Sequence, residues 1–177
     1  MVASVAGLHA GGVLLLLVGI LLMMLLELRV SQSNERLYRQ QGAIDAPDPV
    51  YGLMRWAYPG AFVLMAIEGA LVGRSLDGLA IAGALVFVGG KALKMWAIRT
   101  LGPRWTYRVL VLPDAPLVRE GPYTRLRHPN YVGVLGELIG MGLMMRALVT
   151  GPIATLFFAE LLRRRIAAEE RALGLRM

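Results

Sequence analysis

From Val2 to Leu26 the chain contains no Asp, Glu, Lys or Arg. Crossing the hydrocarbon core of a bilayer takes about 20 consecutive apolar residues as helix. A core helix of a soluble protein keeps one face polar, and this run has no such face. No basic region precedes it, so it reads as a retained helix rather than a cleaved signal.

The pattern repeats along the chain. Trp56 to Gly73 forms a second apolar run, broken only by Glu68. Leu79 to Ile98 forms a third; Lys91 and Lys94 lie in its last part and are expected to snorkel to an interface. Tyr131 to Met145 and Ala147 to Leu162 are shorter and contain Glu137 and Glu160. Around Thr150-Gly151-Pro152 a helix start is expected, with Thr150 as cap and Pro152 in the first turn. Hydrophobic residues make up 56% of the chain and mean hydropathy is +0.58, but it is their bunching that decides the class. The expectation is an all-α, polytopic integral membrane protein of about five transmembrane helices. The last two would form a hairpin, followed by a cytosolic C-terminal helix extension.

Charge placement orients these spans. Arg29, Arg36, Arg39 and Arg55 separate the first from the second, and a run from Arg99 to Arg127 separates the third from the fourth. Arg163, Arg164, Arg165, Arg171 and Arg176 follow the fifth, while the opposite side has only Arg74 and Arg146. The positive-inside rule then puts the N-terminus outside and the basic segments in the cytosol. The net charge of +7 is read as topology and attraction to anionic membrane lipids, not as nucleic-acid binding.

Several chemistries are excluded. There is no cysteine, hence no disulfide, thiolate nucleophile or cysteine zinc site. Two histidines, His9 and His128, cannot build a multi-histidine metal site, and His9 is read as structural. No glycine-rich loop follows a strand, so a nucleotide-like cofactor would bind without a Rossmann fold.

The densest polar cluster is Gly121-Pro122-Tyr123-Thr124-Arg125-Leu126-Arg127-His128-Pro129-Asn130-Tyr131-Val132-Gly133. Pro129 suits the start of a helix, whose free N–H groups attract an anion such as a ligand carboxylate. The bland alternative is a basic turn that anchors a helix at the membrane surface. A second cluster, Arg165 to Leu173, places Arg165 and Glu169 on one helix face at i and i+4; its bland alternative is a solvated helix end. Glu68, Glu137 and Glu160 lie within apolar runs, where acids are costly and point to a pocket or to pairing with Lys91 or Lys94. Glu137, about two turns beyond His128, is the one expected to line a pocket. The aromatic and basic stretch around Trp105 and Tyr107 is read mainly as an interface belt, with aromatic faces available to a cation such as a sulfonium.

Taken together these pieces resemble the isoprenylcysteine carboxyl methyltransferase family, and in particular its short bacterial members. The matching pieces are Gly121-Pro122-Tyr123, Arg127-His128-Pro129-x-Tyr131-x-Gly133 and Arg165-Ile166-x-x-Glu169-Glu170-x-x-Leu173. Two further stretches are similar, Glu27-Leu28-Arg29-Val30-Ser31-x-x-Asn34-Glu35-Arg36 and Leu101-Gly102-Pro103-Arg104-Trp105-Thr106-Tyr107.

The resemblance implies one methyltransferase domain over 1–177, with three spans in 1–98 and a cofactor-binding catalytic part in 99–177. It implies S-adenosylmethionine as cofactor, held by Tyr123, His128, Pro129, the backbone of Tyr131, Val132, Gly133 and Val134, and Glu169 or Glu170. Arg165 would orient the acceptor oxygen; on chemical grounds, rather than from the resemblance, His128, Glu137 or Glu169 in reach of a phenol or enol would serve as the catalytic base. The acceptor would be a lipophilic small molecule entering sideways from the bilayer, either a carboxylate or a phenol or enol hydroxyl. The bacterial inner membrane would be its location, with the site facing the cytosol. A sterol-type membrane reductase using NADPH, an N-methyltransferase of phospholipids or amines, and a non-catalytic lipid-binding protein remain alternatives. Gly83 and Gly90 make a homodimer conceivable, although small residues also pack within one chain.

Overall fold

The computed structural model describes residues 2–73, 77–113 and 115–175, with side chains from residue 11 onward. The His9 side chain, Arg74 and Arg176 therefore lie outside what is described. The architecture is all-α apart from one short strand pair. Helix α1 spans Val2–Gln40, α2 Tyr51–Val72, α3 Gly78–Leu101, α4 Pro129–Met145 and α5 Thr150–Ala172. Single 3-10 turns occupy Gly102–Arg104 and Gly121–Thr124.

Among the described residues, two helical stretches are long and apolar enough to cross a membrane, Gly11–Gln40 in α1 with a mean hydropathy of 2.6 and Gly78–Arg104, α3 with the turn that follows it, with 1.5. Large apolar side chains face outward along the helices, among them Leu15, Leu22, Leu71, Leu85 and Leu156. Water disfavours such a contiguous apolar exterior, whereas lipid does not.

Helix α1 extends well beyond Leu26 because its inward stripe continues. Val13, Ile20, Met24, Glu27, Ser31 and Tyr38 are all buried, at helical spacing. The stripe changes from apolar to polar at Glu27, and there it meets the polar half of the molecule. The chain then pairs Ile44 with Val111 and Asp45 with Leu110. This two-residue antiparallel ladder, β1 (Ile44–Asp45) and β2 (Leu110–Val111), was not anticipated, since neither segment alternates long enough to read as a strand.

Helices α3 and α4 make the closest approach. A Cβ on Gly83 would lie 2.4 Å from the Met144 nitrogen, and one on Gly140 2.4 Å from the Phe87 nitrogen. Gly90 and Gly133 face each other in the same way, each within 2.8 Å of the other's carbonyl oxygen. Backbones touch only where both helices lack side chains. Gly83 and Gly90, suggested above as a dimer face, are thus used within the chain.

The apolar core lies where α1, α2, α4 and α5 converge. Phe62 and Met65 of α2 meet Leu138, Met141 and Met145 of α4 and Phe158 of α5. Edge-on packing of Tyr58 on Phe62 at 5.1 Å and of Phe62 on Phe87 at 6.4 Å adds directional contacts.

Helix α5 does start near Thr150, with Pro152 in its first turn, but Thr150 is not its cap. The Glu68 carboxylate of α2 accepts from the Val149 nitrogen at 3.0 Å, the Thr150 nitrogen at 2.8 Å and the Thr150 hydroxyl at 2.5 Å. A carboxylate satisfies the unpaired N–H groups and complements the helix dipole better than a hydroxyl. Glu68 is thus spent on capping α5 from another helix. Glu160 likewise pairs with its own neighbours Arg163 and Arg164, half-exposed.

Candidate active site

Pro129 opens α4 directly after His128, and the α4 start lies beside the end of α5. The proline ring presets the helical backbone and needs no N–H partner. Before it, the Gly121–Thr124 turn docks on the end of α3. Gly121 has φ +52°, and a Cβ there would meet the Thr100 hydroxyl at 2.6 Å. The turn presents Tyr123, whose phenol is pushed up by burial and by the Glu169 charge.

Five side chains converge at this junction. His128 Nε2 lies 3.3 Å from Glu170 Oε1, and His128 Nδ1 lies 3.8 Å from Glu169 Oε2. The His128 and Tyr131 rings stack with centroids 5.5 Å apart. The Tyr131 hydroxyl donates to Glu169 Oε2 at 2.7 Å and accepts from Arg165 Nε at 3.0 Å. Arg165 also donates to Asp48 Oδ2 at 2.6 Å and to the Tyr107 carbonyl. The guanidinium is buried, and its three nitrogens each have a partner.

Beside this cluster runs a cleft of about 360 Å³ between α4 and α5. Its walls are mostly apolar, including Val132, Leu135, Leu162 and Ile166, and His128, Tyr131, Arg127 and Arg163 also line it. Small-molecule sites commonly have roughly 300–1,000 Å³ with few polar groups among apolar ones.

Other predicted site residues face elsewhere. Gly133 faces α3, where a Cβ would lie 2.7 Å from the Gly90 oxygen, and Val134 belongs to the apolar core. Pro129 is fully buried at the start of α4. Glu137 is fully buried but does not line the cleft; it sits in an ion cluster. Lys91 Nζ lies 3.1 Å from Glu137 and 3.0 Å from Glu27, and Lys94 Nζ lies 2.6 Å from Glu27 and 3.5 Å from Glu137. Tyr58 donates to Glu137 at 2.6 Å. The two lysines do not snorkel outward, because two buried carboxylates give them partners inside the bundle.

The stretch around Trp105 is not an interface belt either. Trp105 is 3% exposed and packs edge-on against Tyr107 at 5.2 Å. Asn34 donates to the Trp105 carbonyl at 2.8 Å, Ser31 accepts from the Tyr107 nitrogen at 2.7 Å, and the Tyr107 hydroxyl reaches Glu27 at 3.3 Å. Burial and the Glu27 charge push the Tyr107 phenol up. The two stretches singled out by resemblance thus dock on each other, and Tyr107 joins the Arg165 cluster to the ion cluster.

Sequence reading missed Asp48, Glu27, Tyr107 and Tyr58 as members of this network. Asp48 had a local signal, an acid just before a helix start, and its Oδ1 does accept from Val50 and Tyr51 nitrogens at 3.2 Å. Its partner Arg165 is too distant in sequence for any local pattern to reveal.

Comparison with known proteins places this geometry. The model of the isoprenylcysteine carboxyl methyltransferase family matches residues 82–174, more than half of the chain and all of the His128 to Glu170 junction. The chain belongs to this family. Isoprenylcysteine carboxyl methyltransferase family members are membrane methyltransferases that use S-adenosylmethionine. The uncharacterized protein YpbQ of Bacillus subtilis is 32% identical over 147 residues, covering 83% of this chain and 88% of that protein. An uncharacterized protein of Haemophilus influenzae is 26% identical over 148 residues, covering 83% and 86% respectively. No solved structure matches the chain significantly.

Proposed function

We propose that the protein transfers a methyl group from S-adenosylmethionine to an oxygen of a lipophilic, membrane-resident acceptor. The observation that carries this reading is the largely apolar cleft lined at one end by the stacked His128 and Tyr131, which contact the Glu169 and Glu170 carboxylates, with Arg127 and Arg163 also on its wall. The residues fit the cofactor class: carboxylates suit an ammonium and ribose hydroxyls, and aromatic faces suit a sulfonium. S-adenosylmethionine supplies an electrophilic methyl group when bound.

The chain's own work is to bind, align and exclude water. Glu169, Glu170, Tyr123 and the first turn of α4 from Pro129 to Val134 would hold the cofactor. Arg165 would steer the acceptor oxygen after exchanging one of its partners. Glu170 would keep the proton of His128 on Nε2, leaving Nδ1 to accept one from a hydroxyl acceptor. A carboxylate acceptor needs no such step. A small phenol or enol lipid is the acceptor we favour. Glu137, tied to two lysines, would support the site rather than take part.

The same reading sets the chain as one domain with five spans, α4 and α5 forming the last hairpin, in a bacterial inner membrane. Its site would face the cytosol and the acceptor would enter from the bilayer, among anionic lipids. Calorimetry of the purified protein in detergent with S-adenosylhomocysteine tests it, with NADPH in parallel. Saturable binding of the former, lost in Glu169→Ala, is expected. Binding of NADPH instead would move the protein to the reductase class.

A further inference from the structure

Arg165 lies one hydroxyl group away from Glu169, since both hold the Tyr131 oxygen. A guanidinium this close to a carboxylate pairs with it directly unless another anion is closer. Asp48 is that anion. Its side chain is 6% exposed, that of Arg165 is 7% exposed, and they meet at 2.6 Å. Glu169, 30% exposed on its side chain, is left with the neutral Tyr131 hydroxyl at 2.7 Å and His128 Nδ1 at 3.8 Å.

We infer that Asp48 is a positioning residue: by pairing with Arg165 it keeps that guanidinium from capturing Glu169, so that Glu169 remains available to the cofactor. The inference rests on the methyltransferase reading and extends it to a residue outside the segment shared with the family model. Asp48 can do this because its two oxygens divide the labour. Oδ1 accepts the Val50 and Tyr51 nitrogens at the start of α2, which fixes the carboxylate, and Oδ2 faces Arg165. The loop before α2 thereby sets the charge seen by a site on α4 and α5.

The test is S-adenosylhomocysteine binding to purified full-length protein in detergent, by calorimetry, with folding followed by thermal melting. Asp48→Asn keeps an acceptor for the α2 start but removes the charge, and is expected to weaken binding by about tenfold or more. Adding Arg165→Gln to it removes the guanidinium that would seize Glu169, and is expected to restore binding to within about threefold of wild type. Asp48→Glu, which keeps the charge, is expected to bind within about threefold of wild type whether or not Asp48→Asn folds. Undiminished binding by Asp48→Asn, a double variant weaker than Asp48→Asn, or a tenfold loss in Asp48→Glu would each overturn the inference while leaving the methyltransferase reading intact. A wild-type protein that binds no S-adenosylhomocysteine overturns both.

Discussion

The Tyr131 hydroxyl is the bridge between Arg165 and Glu169, accepting from the first at 3.0 Å and donating to the second at 2.7 Å. Tyr131→Phe removes the bridge and keeps the ring that stacks on His128. A hydrogen bond to a charged group contributes about 1.5–3 kcal/mol. S-adenosylhomocysteine binding by calorimetry is expected to weaken by about tenfold or more, and the melting midpoint to fall as well, because the buried Arg165 Nε loses its partner. Equal affinity in the variant would remove Tyr131 from the site.

The ion cluster gives a second prediction. Glu137→Ala leaves Lys91 and Lys94 sharing only Glu27 inside the bundle. Breaking a buried pair on one side costs about 3–5 kcal/mol, whereas neutral partners of similar shape restore much of it. In an unfolding titration, Glu137→Ala is expected to lose stability on that scale. Glu137→Leu combined with Lys94→Met is expected to be less damaging than Glu137→Ala. The opposite order would show that the cluster does not act through charge pairing.

Helix packing gives a graded series. Gly83→Ala and Gly140→Ala place a methyl group 2.4 Å from backbone nitrogen, which cannot yield as a side chain can. Forced overpacking costs about 1–3 kcal/mol. Gly136→Ala, with its nearest atom at 3.1 Å, is expected to cost less, and Gly89→Ala, facing open space, to cost nothing or to stabilise the helix. Thermal melts in one detergent would rank the four.

Tyr107 and Tyr123, both in the segment between α3 and α4, have phenols raised by burial and by neighbouring carboxylates. A group whose pKa is raised on folding stabilises the fold fully below its unfolded value, about 10 for tyrosine, and loses that contribution as pH rises beyond it. Stability is thus expected to fall above about pH 10. Tyr107→Phe with Tyr123→Phe should flatten the fall. A titration by tyrosinate absorbance in which both ionise before unfolding would contradict this.

The helices were legible as apolar runs, and Pro129 and Pro152 marked two helix starts correctly. Legible too was the grouping of His128, Tyr131, Arg165, Glu169 and Glu170, because their motifs carry their spacing with them. Less was visible at Thr150, where a local cap was expected and Glu68 from another helix supplies it. Trp105 looked like an interface anchor because aromatic-basic stretches favour that place, yet Ser31 and Asn34 bind its neighbouring backbone inward.

What the sequence by itself determined was the membrane class, the approximate helices and the family, since hydropathy and short motifs are properties of adjacent residues. Only the tertiary structure decided which charges meet: Glu27 with Lys91 and Lys94, Glu68 with the start of α5, and Asp48 with Arg165. The physical reason is that a buried charge is stable only beside a partner. Which partner it finds depends on how helices far apart in the chain turn their faces to one another.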